Sequence, residues 1–157
     1  MKIRIFAVGK IKDFYKLGVE EYLKRLQPYV KCEIIEVKDE PICDSPHESE
    51  ITKAKEIECS RVLKLLKPND YVISLDLNQK EYTSEEFASF IDKKIQEHSV
   101  INFVIGGSYG LSKQMKERAN TSISLSKFTF LHQMSRLILL EQIYRSYKIL
   151  SNETYHK

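Results

Sequence analysis

Tryptophan is missing from the chain, and cysteine, proline and glycine are sparse, at three, four and five residues. The cysteines, Cys32, Cys43 and Cys59, form an odd set with no CxxC and no neighbouring histidine pair. That spacing supports neither a disulfide framework nor a zinc site, so reduced thiols and no metal are expected. No apolar run approaches the ~20 residues that cross a bilayer, which excludes a membrane-spanning helix. Met1–Val8 mixes charged and apolar residues and lacks a signal peptide's apolar core and cleavage site, giving the expectation of a cytoplasmic protein. Internal repeats, linkers and low-complexity tracts are absent as well.

What is present is a regular alternation of elements. Lys2–Val8 reads as a strand closed by Gly9, and Asp13 opens a helix carrying Leu17, Tyr22, Leu23 and Leu26, with Pro28 beyond it. Cys32–Val37 is a second strand, 38–48 a proline-containing loop, and Ile51–Leu66 has helical spacing up to Pro68. Tyr71–Leu75 is a short apolar strand of the kind buried in parallel sheets, followed by a polar connection over 76–81. Thr83 with Glu86 is a capping-box signature for a helix to about Glu97. Ile101–Ile105 is the fourth strand, Ser112 caps a helix to Ala119, Ser122–Leu125 is a brief fifth strand, and His132–Leu150 is the last helix. This pattern predicts an α/β fold, three layers with a mainly parallel sheet. A chain of 157 residues fits one domain, 1–157, which buries roughly 70% of its unfolded surface without staples.

The net charge of +3 is unevenly placed. Lys113–Lys157 holds eight Lys/Arg against three Glu, a balance of +5 that leaves −2 for the rest. A basic C-terminal end suits a polyanionic partner, although a solvated helix face gives the same count. The last helix is apolar on more than one side, through Met134, Leu137 and Ile138 and through Leu139, Leu140 and Ile143. A second covering surface is therefore expected, most simply from a second subunit in a homodimer. His132 is read as capping or packing at the start of this helix rather than as a titrating group.

Three of the five glycines fall in Gly106-Gly107-Ser108-Tyr109-Gly110, at a strand-to-helix junction. The stretch fits G-x-S-x-G, so Ser108 is a candidate hydrolase nucleophile, with Glu141 or Glu153 followed by His156 in acid–histidine order. Against that, the chain ends almost at the histidine. A dinucleotide site would need an acid about 20 residues on, where Ser124–Phe128 has none. The glycines are then read as permitting close backbone approach to a flat ligand.

Four motifs carry a resemblance. Val104-Ile105-Gly106-Gly107-Ser108-x-Gly110, Leu125-Ser126-Lys127-x-Thr129-Phe130-x-His132-Gln133-Met134-x-Arg136, Glu141-Gln142-x-Tyr144-Arg145 and terminal Tyr155-His156-Lys157 resemble the RlmH family. These are SPOUT-class methyltransferases that modify a pseudouridine in 23S ribosomal RNA of the assembled ribosome. The opening Ala7–Lys12 resembles the family's start too, so the likeness spans the chain. It implies a homodimer, a C-terminal trefoil knot, S-adenosylmethionine as methyl donor, and cofactor-binding positions at Leu75, Gly106 and Leu125, Ser126, Lys127, Phe128, Thr129 and Phe130. Leu131 stands where the family usually has proline, which leaves the cofactor loop less constrained.

Methyl transfer from a sulfonium is an in-line displacement that needs positioning and no metal. The pseudouridine N3 must lose a proton, so the resemblance makes His156 a base or orienter. Arg136 and Lys157 then stabilise charge on the base or phosphate, and Tyr155 stacks on a nucleobase. A non-enzymatic RNA-binding module is the remaining alternative, and it would lack affinity for the donor.

Overall fold

Alternation along the strands decides the layering. In the computed structural model, which describes residues 1–157, Ile3 and Ile5 of β1 (Lys2–Val8) enter one core while Phe6 and Val8 enter another. The other strands, β2 (Lys31–Val37), β3 (Tyr71–Lys80), β4 (Val100–Ile105) and β5 (Thr121–Ile123), pair with it or with each other in the order β2-β1-β4-β3-β5. Every pairing is parallel. Parallel strands need crossovers, and five helices supply them or follow them: α1 (Asp13–Leu26), α2 (Glu48–Leu63), α3 (Ser84–Glu97), α4 (Lys113–Arg118) and α5 (His132–Leu150).

The larger core joins α1, α3 and α5 to one sheet face through Val19, Leu26, Phe87, Ile91, Leu139 and Ile143. The smaller joins α2 and α4 to the other through Cys59, Val62 and Met115. The predicted three-layer α/β architecture is therefore the observed one. No helix is long and apolar enough to cross a membrane.

Several boundaries move, for identifiable reasons. The polar connection expected over 76–81 continues β3 to Lys80, with a register shift between Leu75 and Lys80 and Asn78 in the left-handed region at φ 56°. Ser124 pins it: its N–H donates to the Lys80 carbonyl (2.9 Å), and its hydroxyl donates to the Asp76 carbonyl (2.7 Å) while accepting from Gln79 N–H (2.7 Å). Backbone pairing, which has no hydrophobic signature, makes this strand. α2 starts at Glu48 rather than Ile51, because the Glu50 carboxylate accepts the His47 N–H at 2.8 Å and closes the first turn early.

α5 lies between α1 and α3, so much of its second apolar side is covered within the protomer. Close packing marks the first contact: a Cβ on Gly18 of α1 would meet Leu137 Cδ1 at 3.1 Å.

The expected caps form. Thr83 Oγ1 accepts from Glu86 N–H (3.1 Å) and the Glu86 carboxylate accepts from Thr83 N–H (2.8 Å), while Ser112 accepts from Met115 N–H at α4. Thr83→Ala should lower the unfolding free energy by about 1 kcal/mol. Urea denaturation of the two proteins measures it, and an unchanged midpoint would mean that the cap contributes nothing.

Candidate functional site

The carboxyl ends of the parallel strands gather the candidate residues. Leu75 lies on β3 beside Ile105 of β4, Gly106 follows β4, and Leu125–Phe130 leaves β5 toward α5. The three stretches assigned to one ligand thus meet along one rim. Leu125 and Ser126 are half-buried, whereas Lys127, Phe128, Thr129 and Phe130 are exposed. Ser124 N–H is paired and Phe128 N–H donates to Ser126 Oγ (3.0 Å), but the main-chain N–H groups of Leu125 and Ser126 have no acceptor in the protein. Half-buried, unpaired backbone donors next to leucine walls suit a ligand with polar edges and an apolar body. A cavity of about 220 Å³ opens beside Leu125, lined also by Tyr82, Ser84, Phe87, Ile138 and Gln142.

The glycine turn has a cause that the sequence did not reveal. A Cβ on Gly106 would lie 2.6 Å from the carbonyl carbon and oxygen of Gly110, and Gly110 itself has φ +87°. The turn closes on itself, with Gly110 N–H donating to the Gly107 carbonyl at 3.1 Å. Close approach of its own backbone, before any ligand, requires glycine here. Behind it, Gly107 faces the carboxylate of Glu58, whose pKa burial pushes up. Ser108 is exposed and makes no hydrogen bond to a histidine, while His156 is held elsewhere. The hydrolase constellation is not assembled.

Arg136 sits apart from the place that a substrate-facing role would give it. The residue is 0% exposed; Nη2 donates to the carbonyls of Val8 (2.9 Å) and Gly9 (2.7 Å), and Nη1 pairs with Glu36 at 2.7 Å. Its Nε is buried without a partner. Gln133 completes the grip, accepting from Lys12 N–H (2.8 Å) and donating to the Lys10 carbonyl (2.8 Å). Two side chains of α5 therefore clasp the whole β1–α1 connection.

The C-terminal residues are also tied down. Tyr155 packs edge-on against Tyr144 (4.9 Å) and donates to Glu141 (3.0 Å). Burial, with the Tyr22 and Glu141 contacts, holds its phenol above the usual range, so it stays protonated. His156 lies between Arg145 (3.2 Å) and Glu85 (2.7 Å), and Lys157 is exposed. The basic C-terminal balance is largely internal: Lys113, Lys116, Arg136, Arg145 and Lys148 each have a carboxylate partner. Arg118 donates to the carbonyls of Lys67 and Asp70, Lys127 and Lys157 remain unpaired, and Lys10, Lys12 and Lys38, which the charge count placed in the acidic half, add free cations near the ends of β1 and β2.

Comparison with known proteins now decides the family. The model described as "Predicted SPOUT methyltransferase" matches residues 1–156. The chain belongs to the SPOUT methyltransferase family. Full-length relatives include ribosomal RNA large subunit methyltransferase H of Carboxydothermus hydrogenoformans, 48% identical, and that of Clostridium tetani, 51% identical, each alignment covering 100% of both chains. Among solved structures, one from Legionella pneumophila in complex with the bound cofactor SAM aligns with a TM-score of 0.52 at 13% identity, over 94% of this chain and 66% of that one. A tRNA (m1G37) methyltransferase from Aquifex aeolicus aligns with a TM-score of 0.51 at 14% identity, over 92% and 70%. The chain thus spans about two thirds of these two structures, and at such identity they speak to the SPOUT fold alone.

In this SPOUT protein the Arg136 contacts should matter more for stability than Glu36, which is partly exposed. Arg136→Ala should cost about 3 kcal/mol, because it leaves two carbonyls without a donor, and Glu36→Gln less than about 1 kcal/mol. Chemical denaturation measures both, and equal losses would contradict the assignment.

Proposed function

We propose that this methyltransferase moves a methyl group from S-adenosylmethionine to N3 of a pseudouridine in 23S ribosomal RNA. Its substrate is the large subunit or the assembled 70S ribosome, in the cytoplasm. Full-length likeness at 48% and 51% identity to proteins named ribosomal RNA large subunit methyltransferase H carries the reading. The whole chain, 1–157, is then one SPOUT domain with its C-terminal segment threaded as a trefoil knot.

Leu75, Gly106 and Leu125, Ser126, Lys127, Phe128, Thr129 and Phe130 would hold the donor, whose bound sulfonium supplies an electrophilic methyl carbon. The unpaired N–H groups of Leu125 and Ser126 read the polar edge of its adenine, and Leu75 and Leu125 wall the ring. Arg136 acts as a positioning residue: by gripping the Val8 and Gly9 carbonyls it fixes the start of α5, and with it the end of the cofactor segment.

The enzyme works as a homodimer. Phe14 and Leu17 on α1 are 83% and 77% exposed, and Phe128 and Leu131 before α5 are 79% and 66% exposed. Apolar side chains presented by two adjoining elements favour a covering subunit. A single domain of 157 residues also offers little surface for a large RNA, so each site is composite. There Tyr155 stacks on a nucleobase, His156 orients it, since both ring nitrogens already have polar partners, and Lys157 meets phosphate.

Calorimetry should show one S-adenosylmethionine bound per protomer, both in the full chain and after removal of Tyr155–Lys157. That truncation should lower methyl transfer to ribosomes by at least about 100-fold. Absence of binding heat would leave an RNA-binding module as the reading, and full turnover without the tail would remove its role.

A further inference from the structure

Of the four histidines, His47 stands at the start of α2, His98 stacks on Tyr71 at 4.4 Å, and His156 is held by Arg145 and Glu85. His132 is different. It is half-buried in the first turn of α5, and neither ring nitrogen has a hydrogen-bond partner in the protein, whereas Gln133 and Arg136 Nη2 beside it bond to the β1–α1 connection. A Cβ built on Gly9 would stand 4.0 Å from His132 Nε2 and 3.9 Å from Cβ and Cγ of Asp39. Gly9 has φ +88°, so this position carries no side chain and leaves open ground that an imidazole nitrogen and a carboxylate both overlook.

The topology gives that ground a second significance. β1 and β4 are neighbours, yet α1 leads from β1 to β2 on one flank while α4 leads from β4 past β3 to β5 on the other. Such a reversal is where open parallel sheets bind ligands, outside the carboxyl ends of the strands. Ala7 pairs with Ile105, so the end of β1 lies one strand, about 4.8 Å, from the Gly106 side of the crevice.

We propose that His132 is the catalytic base of the methyl transfer, accepting the N3 proton of the target pseudouridine on Nε2 above Gly9, with Asp39 as a positioning residue. The inference rests on the methyltransferase reading above. As the N3–H bond passes its proton to His132, the N3 electron pair forms the bond to the methyl carbon. The electron pair of the carbon–sulfur bond stays with sulfur, so the sulfonium charge ends as an imidazolium. An imide N–H ionises only above neutrality, and a placed base adds roughly 10²–10⁴-fold at neutral pH. The charged groups facing the ring are Arg136 on α5, Lys12 ahead of α1 and Asp39 after β2. Burial, then the Arg136 and Lys12 charges, lower the imidazole pKa against the opposing pull of Asp39, so the ring is neutral and able to accept a proton. The Asp39 carboxylate then offsets the charge that the ring gains.

The test pairs single-turnover methylation of ribosomes lacking the modification, across about pH 6 to 9, with an NMR titration of imidazoles in the uncomplexed protein. His132→Ala and His132→Gln should lose at least about 100-fold near neutrality. The loss should shrink as pH rises and the RNA base ionises unaided; free imidazole should restore part of the His132→Ala rate, and calorimetric donor affinity should stay as in the wild type. His132 should titrate below the ordinary histidine range, and lower still in Asp39→Asn. A wild-type rate in His132→Ala, a loss that is equal at every pH and deaf to imidazole, or titration in the ordinary range would each overturn the assignment. A wild type that neither binds donor nor methylates ribosomes would instead bring down the methyltransferase reading, and this assignment with it.

Discussion

The grip of α5 on the end of β1 is the constraint on which the site depends. A parallel sheet delivers its loops to one rim but does not fix how those loops face each other. Arg136, buried and donating to the Val8 and Gly9 carbonyls, and Gln133, bonded to Lys10 and Lys12, fix the connection after β1 against the helix that follows the Leu125–Phe130 segment. A buried guanidinium is costly unless its donors are satisfied; here two main-chain oxygens and one carboxylate meet the two Nη groups, and only Nε is left without a partner. Because α5 also packs between α1 and α3, the rim geometry is coupled to the larger core.

Local signals encode local structure reliably. Thr83 with Glu86, and Ser112, act within one helical turn, so their pattern contains the whole interaction. Alternation in β1, β3 and β4 likewise encodes the two faces. The strand order and the role of Arg136 are different in kind. Arg136 and Val8 are 128 residues apart in the chain, and nothing in the pattern around position 136 separates a phosphate-facing arginine from one turned to a carbonyl. The extension of β3 to Lys80 was hidden because exposed polar residues carry no periodicity when only the backbone is paired.

The glycine turn shows a subtler limit. Gly106 and Gly110 suit close approach to a ligand and close approach of the chain to itself equally well, and the distance of 2.6 Å decides for the second. The crevice positions came from resemblance to a family, not from spacing. The structure adds what the resemblance lacked, namely the half-buried Leu125 and Ser126 with their unpaired N–H groups. The charge count misled in proportion, since most C-terminal cations have partners and the free lysines on the rim come partly from the N-terminal half.

Hydrogen–deuterium exchange of the protein with and without S-adenosylmethionine tests the central claim most directly. The account predicts slowed exchange confined to the end of β3 at Leu75, the Gly106–Gly110 turn and Leu125–Phe130, with the helices facing away from that rim unchanged. Exchange that is unaltered there, or protection centred on another surface, would contradict it.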